Sequence, residues 1–257
     1  MKILLTGHKG FIGQHMLTAL QDKHKVDTYE WGDEYPKIKK YDWVIHLGAI
    51  TATTETDVEK VMKQNYDFSV ELYKDCRHYN VNFQFASSAS VYGLKGEFNE
   101  NSPVDPRTPY AWSKYMFEKY LLDHKQTARV QIFRYFNVYG PEGEDHKGDQ
   151  ASPYYKFKTQ AETTGKIKLF KNSENYLRDF VHVSEVVSTH LRFFKVKESG
   201  IWNVGTGKTQ SFLDVAKQFN VPIEEIEMPK NLIASYQKYT CADITKLTRT
   251  INEHFSD

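Results

Sequence analysis

Near its start the chain reads Gly7-His8-Lys9-Gly10-Phe11-Ile12-Gly13, with three glycines where an apolar strand pattern gives way to a helical one. Lys2–Thr6 reads as a buried strand and Phe11–Gln21 as an amphipathic helix, so the glycines occupy a strand-to-helix turn. Glycine has no Cβ, so the backbone can turn tightly there and approach a ligand closely. The helix start behind it offers free amides and the positive end of the helix dipole, a natural seat for a pyrophosphate. A purely structural turn also uses glycine. The strand before the loop and the helix after it are what favour a dinucleotide site.

Further strand patterns at residues 26–31, 43–47, 83–86 and 130–135 alternate with helical patterns at residues 57–79 and 109–124. This alternation predicts an α/β fold, a Rossmann-like doubly wound parallel sheet. Only residues 32–42 separate the second strand from the third, too few for the helix and strand a full dinucleotide fold inserts there. The sheet is therefore expected to be one strand short. Eleven extended residues span roughly 35 Å, enough to recross a neighbouring strand at a spacing of about 4.8 Å. Glu30, at the end of the second strand, suits the ribose hydroxyls of NAD. Lys9, Lys37, Lys39 and Lys40 could instead pair with the extra phosphate of NADP, or form a solvated loop. NADP is carried forward, with NAD as the alternative.

After Pro141 the sequence turns polar and loop-like, and shorter patterns follow. The expected division is an NAD(P)-binding domain over residues 1–141 and a smaller, mainly substrate-binding C-terminal domain over residues 142–257. Segments about 181–206, including a helix at residues 184–194, return to the first domain.

Chemistry is signalled by Tyr110 and Lys114, four residues apart in a helical stretch, and by Ser88 at the end of the strand before it. Oxidising an alcohol requires a base for the hydroxyl proton while hydride leaves the carbon. A free tyrosine, with a pKa of about 10, is a poor base at neutral pH. A lysine one helical turn on shares its face, and its charge, with that of an oxidised nicotinamide, stabilises the phenolate. Ser88 can hydrogen-bond the reacting oxygen. The spacing alone proves nothing, because Tyr35/Lys39, Tyr115/Lys119 and Tyr154/Lys158 share it. Context selects Tyr110, which alone begins a helix after Pro106 and Pro109 and follows a strand ending in small hydroxyl residues.

Composition narrows the partners. A formal net charge of +1 argues against an extended nucleic-acid surface, and no apolar run approaches membrane-spanning length. Cys76 and Cys241 are the only cysteines, in no redox or metal spacing, which suits a reducing cytoplasm. No histidine pair has metal-ligand spacing backed by a carboxylate, so no metal is expected. Gly205-Thr-Gly-Lys-Thr209 imitates a P-loop, but the first glycine of that motif would fall on Trp202.

Nearly end to end, the chain resembles the extended short-chain dehydrogenase/reductase family, the sugar-nucleotide epimerases and dehydratases. The resemblance is carried by Phe133-Arg-Tyr-Phe-Asn-Val-Tyr-Gly-Pro141, His146-Lys147-Gly148, Arg178-Asp-Phe-Val-His-Val183, Asn203-Val-Gly-Thr-Gly207 and the stretch from Ser235 to Asp243. Within that family these pieces look most like the branch that inverts C6 of ADP-linked heptoses. Related 4,6-dehydratases carry an Asp-Glu pair where this chain has Ser88-Ala89.

The resemblance implies a two-base epimerisation in which Tyr110 and Lys147 serve the two orientations of a transient ketone. It implies cofactor contacts from Gly7, Lys9, Gly10, Phe11, Ile12, Gly13, Glu30, Leu47, Gly48, Ala49, Thr51, Asn65 and Val138, with Tyr110 and Lys114. Substrate contacts would come from Ser88, Asn137, Asp149, Lys156, Phe170, Ser173, Arg178 and Tyr236, with Arg178 gripping the pyrophosphate. Asp149 stands where the branch has a small hydroxyl residue, and Lys156 where it has a histidine. A homo-oligomer formed through residues 57–79 and 109–124 is also implied. The rival readings are another sugar-nucleotide epimerase or reductase, and a dinucleotide-binding sensor or scaffold without chemistry.

Overall fold

The computed structural model describes residues 1–94, 96–229 and 236–255, and only the backbone of residue 149. The first half runs β1 (Lys2–Thr6), α1 (Phe11–Gln21), β2 (Lys25–Tyr29), β3 (Trp43–His46), α2 (Val58–Met62), α3 (Phe68–His78), β4 (Asn82–Ser88), α4 (Pro109–Asp123) and β5 (Val130–Tyr135). There follow β6 (Asn137–Tyr139), α5 (Pro153–Thr164), β7 (Ile167–Phe170), β8 (Leu177–Arg178), β9 (Phe180–His182) and α6 (Val183–Phe193). The chain continues with β10 (Gly200–Val204), β11 (Gln210–Ser211), α7 (Phe212–Lys217), β12 (Ile223–Ile226) and a last helix, Thr245–Phe255.

Six strands form one parallel sheet in the order β10-β5-β4-β3-β1-β2. Successive side chains of a strand point to opposite faces, and β1 shows it. Leu4 enters the core beneath α3 and α4, whereas Ile3 and Leu5 enter the core beneath α1. Both faces are covered, as an all-parallel sheet requires.

The expected shortening is present. Residues 32–42 carry no strand and only a 3-10 turn, Ile38–Lys40, before the chain re-enters the sheet on the far side of β1. Ile38 and Tyr41 are buried in the core against α3, with Tyr35 packed at its edge. The Tyr41 hydroxyl donates to Asp27 Oδ2 at 2.9 Å, and the Tyr35 hydroxyl to Asp75 Oδ2 at 3.0 Å. The crossing segment thus supplies apolar cover itself, worth about 1.5–3 kcal/mol per fully buried large side chain.

The helix expected over residues 57–79 is interrupted by a π turn, Lys63–Asp67, between α2 and α3. Asp57 starts it, its Oδ1 accepting Lys60 N at 2.9 Å. Thr108 caps α4, and Pro109 at its first position fits the preset φ of proline.

A second core, including Phe157, Ile167, Leu169, Phe180 and Val215, lies among α5, β7, β9 and α7. Parallel pairs β6 with β9 and β7 with β12, and the antiparallel pair β8 with β11, border it. After β9 the chain returns: α6 packs on α1, and β10 completes the main sheet. Among the described residues no helix is long and apolar enough to cross a membrane.

Candidate active site

The strand order reverses between β1 and β3, and the carboxyl ends of parallel strands at such a point form a crevice. A cleft of about 590 Å³ opens there. Gly7 has φ +74°, and a Cβ on it would lie 2.6 Å from Gly48 Cα. A Cβ on Gly13 would lie 1.9 Å from the Gly7 carbonyl oxygen. Those two glycines are therefore dictated by close approach. Gly10 opens α1 without any side-chain cap and with no acidic residue in the first turn, so the dipole end faces the cleft uncompensated.

Behind the loop runs a buried polar chain. His46 Nδ1 pairs with Thr6 Oγ1 at 2.7 Å, and His46 Nε2 with Ser69 Oγ at 2.7 Å. Thr6 Oγ1 accepts Gly48 N at 3.1 Å. Burial holds His46 down to about 3, so it is a neutral hydrogen-bonding strut. Asn65, inside the π turn, is also buried: its Oδ1 accepts Ile50 N at 2.8 Å and its Nδ2 donates to Ile50 O at 2.9 Å. It holds the backbone after β3 from behind and is not among the residues lining the cleft, unlike Leu47, Gly48, Ala49 and Thr51.

Glu30 lines the cleft, its Oε1 accepting Lys9 N at 2.7 Å and meeting His8 Nδ1 at 3.1 Å. Lys9, Lys37, Lys39 and Lys40 are not among the lining residues, and Lys40 pairs with Asp27 at 2.8 Å. Beside Glu30 a smaller cavity of about 180 Å³ is walled by Tyr29, Trp31 and Phe68. Tyr29 stacks on Phe68 at 5.1 Å, with Trp31 edge-on at 5.7 Å. Trp31 stands at the start of the shortened segment. Its part in a site escaped the sequence reading, which treated it only as the end of a strand.

Farther along the cleft are Ser88, Tyr110, Lys114, Asn137, Val138 and Lys147. Tyr110 and Lys114 are buried on the inner face of α4, as the four-residue spacing predicts. Lys114 Nζ donates to Ala86 O at 2.8 Å and lies 4.7 Å from the Phe85 ring centroid and 5.8 Å from that of Tyr110. Burial, opposed by Glu118, brings the lysine down to about 7. In the protein alone burial also raises the Tyr110 phenol, and a hydrogen bond with Ser88 opposes that rise. Desolvation, rather than the ammonium, sets the resting state of the tyrosine.

A buried ion pair underlies this floor. Arg134 Nε and Nη2 donate to the two oxygens of Glu118 at 3.0 and 2.6 Å, and Ser87 Oγ donates to the same carboxylate. Such a bidentate pair fixes β4 and β5 against α4. Tyr135, whose hydroxyl bonds His190 Nε2, lines the cleft and was missed by the sequence reading.

Phe170, Arg178 and Tyr236 gather in a second cluster, not among the residues lining this cleft. The Arg178 guanidinium lies 5.5 Å from the Phe212 ring and 5.6 Å from the Tyr236 ring, and Tyr236 meets Phe170 at 6.2 Å. Arg178 donates to the carbonyls of Leu177, at 2.9 Å, and Gln237. Asp179, the obvious salt-bridge candidate, is used otherwise. Its carboxylate accepts Thr206 N, Gly207 N and Ala242 N at 2.8, 2.9 and 3.0 Å. Ser173 is buried in the turn leading to Tyr176. Lys156 lies in α5 and is not a lining residue of the cleft. The side chain of Asp149 and all of Ser235 lie outside the described residues.

Comparison with known proteins agrees with this architecture. The sequence model of the NAD dependent epimerase/dehydratase family matches residues 24–205. The ADP-L-glycero-D-manno-heptose-6-epimerase of Brachyspira hyodysenteriae is 36% identical, the alignment covering 95% of this chain and 90% of that one. The crystal structure of the Helicobacter pylori enzyme of that name superposes with a TM-score of 0.87 at 26% identity, covering 98% of this chain and 90% of that one. The UDP-N-acetylglucosamine 4-epimerase of Methanobrevibacter ruminantium shares the fold, with a TM-score of 0.87 at 23% identity over 97% of this chain and 91% of that one. The chain belongs to the NAD-dependent epimerase/dehydratase family.

Proposed function

We propose that this member of the NAD-dependent epimerase/dehydratase family is a nucleotide-sugar epimerase that inverts C6 of an ADP-linked glycero-manno-heptose. The observation that carries the reading is that Ser88, Tyr110, Lys114 and Lys147 line the same cleft as the glycine loop. The 36% identity to an enzyme of that activity supports the choice of substrate.

The residues of the cleft fit a nicotinamide dinucleotide. Gly7, Gly10 and Gly13, with the uncapped start of α1, would hold the pyrophosphate, because bare backbone and a dipole end suit a doubly charged group. Glu30 would accept from the ribose hydroxyls, and the aromatic walls formed by Tyr29, Trp31 and Phe68 would take the adenine. A carboxylate at this place repels an additional phosphate, so NAD is the preferred form. When bound, the cofactor supplies a reversible hydride acceptor and, oxidised, a positive charge that favours a phenolate.

The protein supplies the proton chemistry. Ser88 orients the reacting oxygen, Tyr110 takes and returns its proton, and Lys114 anchors the floor through Ala86 O. Inversion needs the intermediate ketone to present its other face, which moves its oxygen. Lys147 meets it in that second orientation. Arg178, with Phe170 and Tyr236, would hold the nucleotide end, a planar fork of donors between aromatic rings. Asn137, in the cleft wall, would contact the sugar, and Lys156 and Ser173 would serve the same substrate.

The division into a cofactor domain over residues 1–141 and a substrate domain over residues 142–257 belongs to the same reading, with residues 181–206 returning to the first. Exposed Trp112, Met116 and Leu122 on α4 and Val58 on α2 support self-association through those helices. Two free cysteines suit a reducing cytoplasm.

The test is proton NMR of ADP-D-glycero-D-manno-heptose with the purified protein and catalytic NAD. Inversion at C6 without accumulation of reduced cofactor is expected, and Tyr110→Phe should slow it by about 10²-fold or more. In a parallel reaction supplied with NADH, its stoichiometric consumption would select a reductase. Unchanged heptose in the presence of bound cofactor would reject the substrate.

A further inference from the structure

Glu144 is fully buried beside the cleft, yet no motif of the sequence singles it out. Its Oε2 accepts from Lys147 Nζ at 2.9 Å and from Ser152 N at 2.7 Å. Its Oε1 accepts from Ser152 Oγ at 2.6 Å. Ser152 is the N-cap of α5, its hydroxyl accepting Tyr155 N at 3.2 Å. Lys147 N donates to Glu144 O at 2.9 Å, closing the turn that brings the two side chains together. The ammonium also lies 5.1 Å from the ring centroid of Phe11, the first residue of α1 and part of the cleft wall.

We infer that Glu144 is a positioning residue for Lys147, holding its amine between a buried carboxylate and the Phe11 ring and tying it to the start of α5. The inference rests on the role proposed for Lys147. A lysine side chain has four rotatable bonds and would otherwise sample many directions. A buried carboxylate in turn requires donors, and here two neutral donors and one cation meet it. If capping α5 were its whole purpose, a neutral acceptor would serve. The negative charge and the 2.9 Å contact are what the lysine requires. Through Ser152 the proton-handling group is thus linked to a helix of the substrate-binding half.

The experiment is a double-mutant cycle on the NAD-loaded enzyme with Glu144→Gln and Lys147→Met, read by C6 inversion. Gln keeps an acceptor for Ser152 and removes the charge. E144Q should lower kcat about tenfold to a hundredfold with KM within about threefold, and should cost nothing further in the K147M background. E144D, which restores the charge, should recover part of the loss. Equal losses in both backgrounds, or a raised KM with unchanged kcat, would mean that Glu144 only supports α5, overturning the inference.

A second measurement does not depend on turnover. Trace acetylation with acetic anhydride, quantified by peptide mass spectrometry, should label Lys147 several-fold faster in E144Q than in the parent, with exposed Lys39 as the internal standard. Equal labelling would overturn the pairing. If labelling shifts as expected while the parent leaves the heptose untouched, the pairing stands and the proposed substrate falls.

Discussion

Replacing Lys114 by methionine should destroy activity and yet stabilise the fold near neutral pH. Lys114 is 3% exposed and is brought from 10.5 to about 7 by burial. At 1.36 kcal/mol per pH unit, and with the folded group half-titrated at pH 7, that displacement costs the folded state about 4 kcal/mol there. Losing the hydrogen bond to Ala86 O offsets about 1.5–3 kcal/mol of the gain. Lys114→Met should therefore be about 1–3 kcal/mol more stable than the parent at pH 7.

The sign follows from which state holds the proton. Between about 7 and 10.5 the unfolded chain binds it and the folded chain does not, so this group's contribution to stability rises with pH across that window. Its full cost is present below about 7. At pH 9.5 only about 1 kcal/mol of the proton term remains, no more than the lost hydrogen bond, so the parent should be level with the variant or more stable by up to about 2 kcal/mol. The assay is urea unfolding of both at pH 7.0 and 9.5, where subtracting one from the other cancels every group they share. A parent more stable than the variant at pH 7, or a difference that does not change with pH, would refute the reasoning.

Gly13→Ala places a Cβ 1.9 Å from the Gly7 carbonyl oxygen and should abolish dinucleotide binding in calorimetric titration. Gly10→Ala, at 3.3 Å from the same oxygen, should retain binding within about tenfold, and equal loss in both would contradict the steric account. Burial holds both His46 and His190 down to about 3. The unfolded chain protonates them below about 6.5 while the folded chain does not, so stability should fall as pH drops from 6.5. Urea midpoints unchanged between pH 7 and pH 5 would speak against their being buried and neutral.

What was legible in the sequence was local. The glycine loop, the shared face of Tyr110 and Lys114 on α4 and the missing strand after residue 32 follow from spacing and chain length, which fix geometry within a few residues. Joining distant residues depends on packing. Asn65 fell within a helical pattern, and no propensity marks the π turn that turns it toward Ile50. Lys147 sits in a polar loop where its sequence neighbours do not show which carboxylate holds it, and packing makes that carboxylate buried Glu144. Arg178 adjoins Asp179 in the chain, yet that carboxylate is taken by the backbone amides of Thr206 and Gly207, a loop far along the sequence. Trp31 read as a strand end. Only the crossover folding back over β1 makes it the wall of a pocket.

The central claim is that hydride leaves and returns to one carbon while the cleft's own acids and bases move the protons. The most direct test is the enzymatic conversion of ADP-heptose carrying deuterium at C6, in ordinary water, followed by mass spectrometry and deuterium NMR of the inverted product. Retention of deuterium at C6, with none released to solvent, is the predicted result. Inversion accompanied by exchange of that deuterium for solvent hydrogen would show that carbon is deprotonated rather than oxidised, contradicting the account.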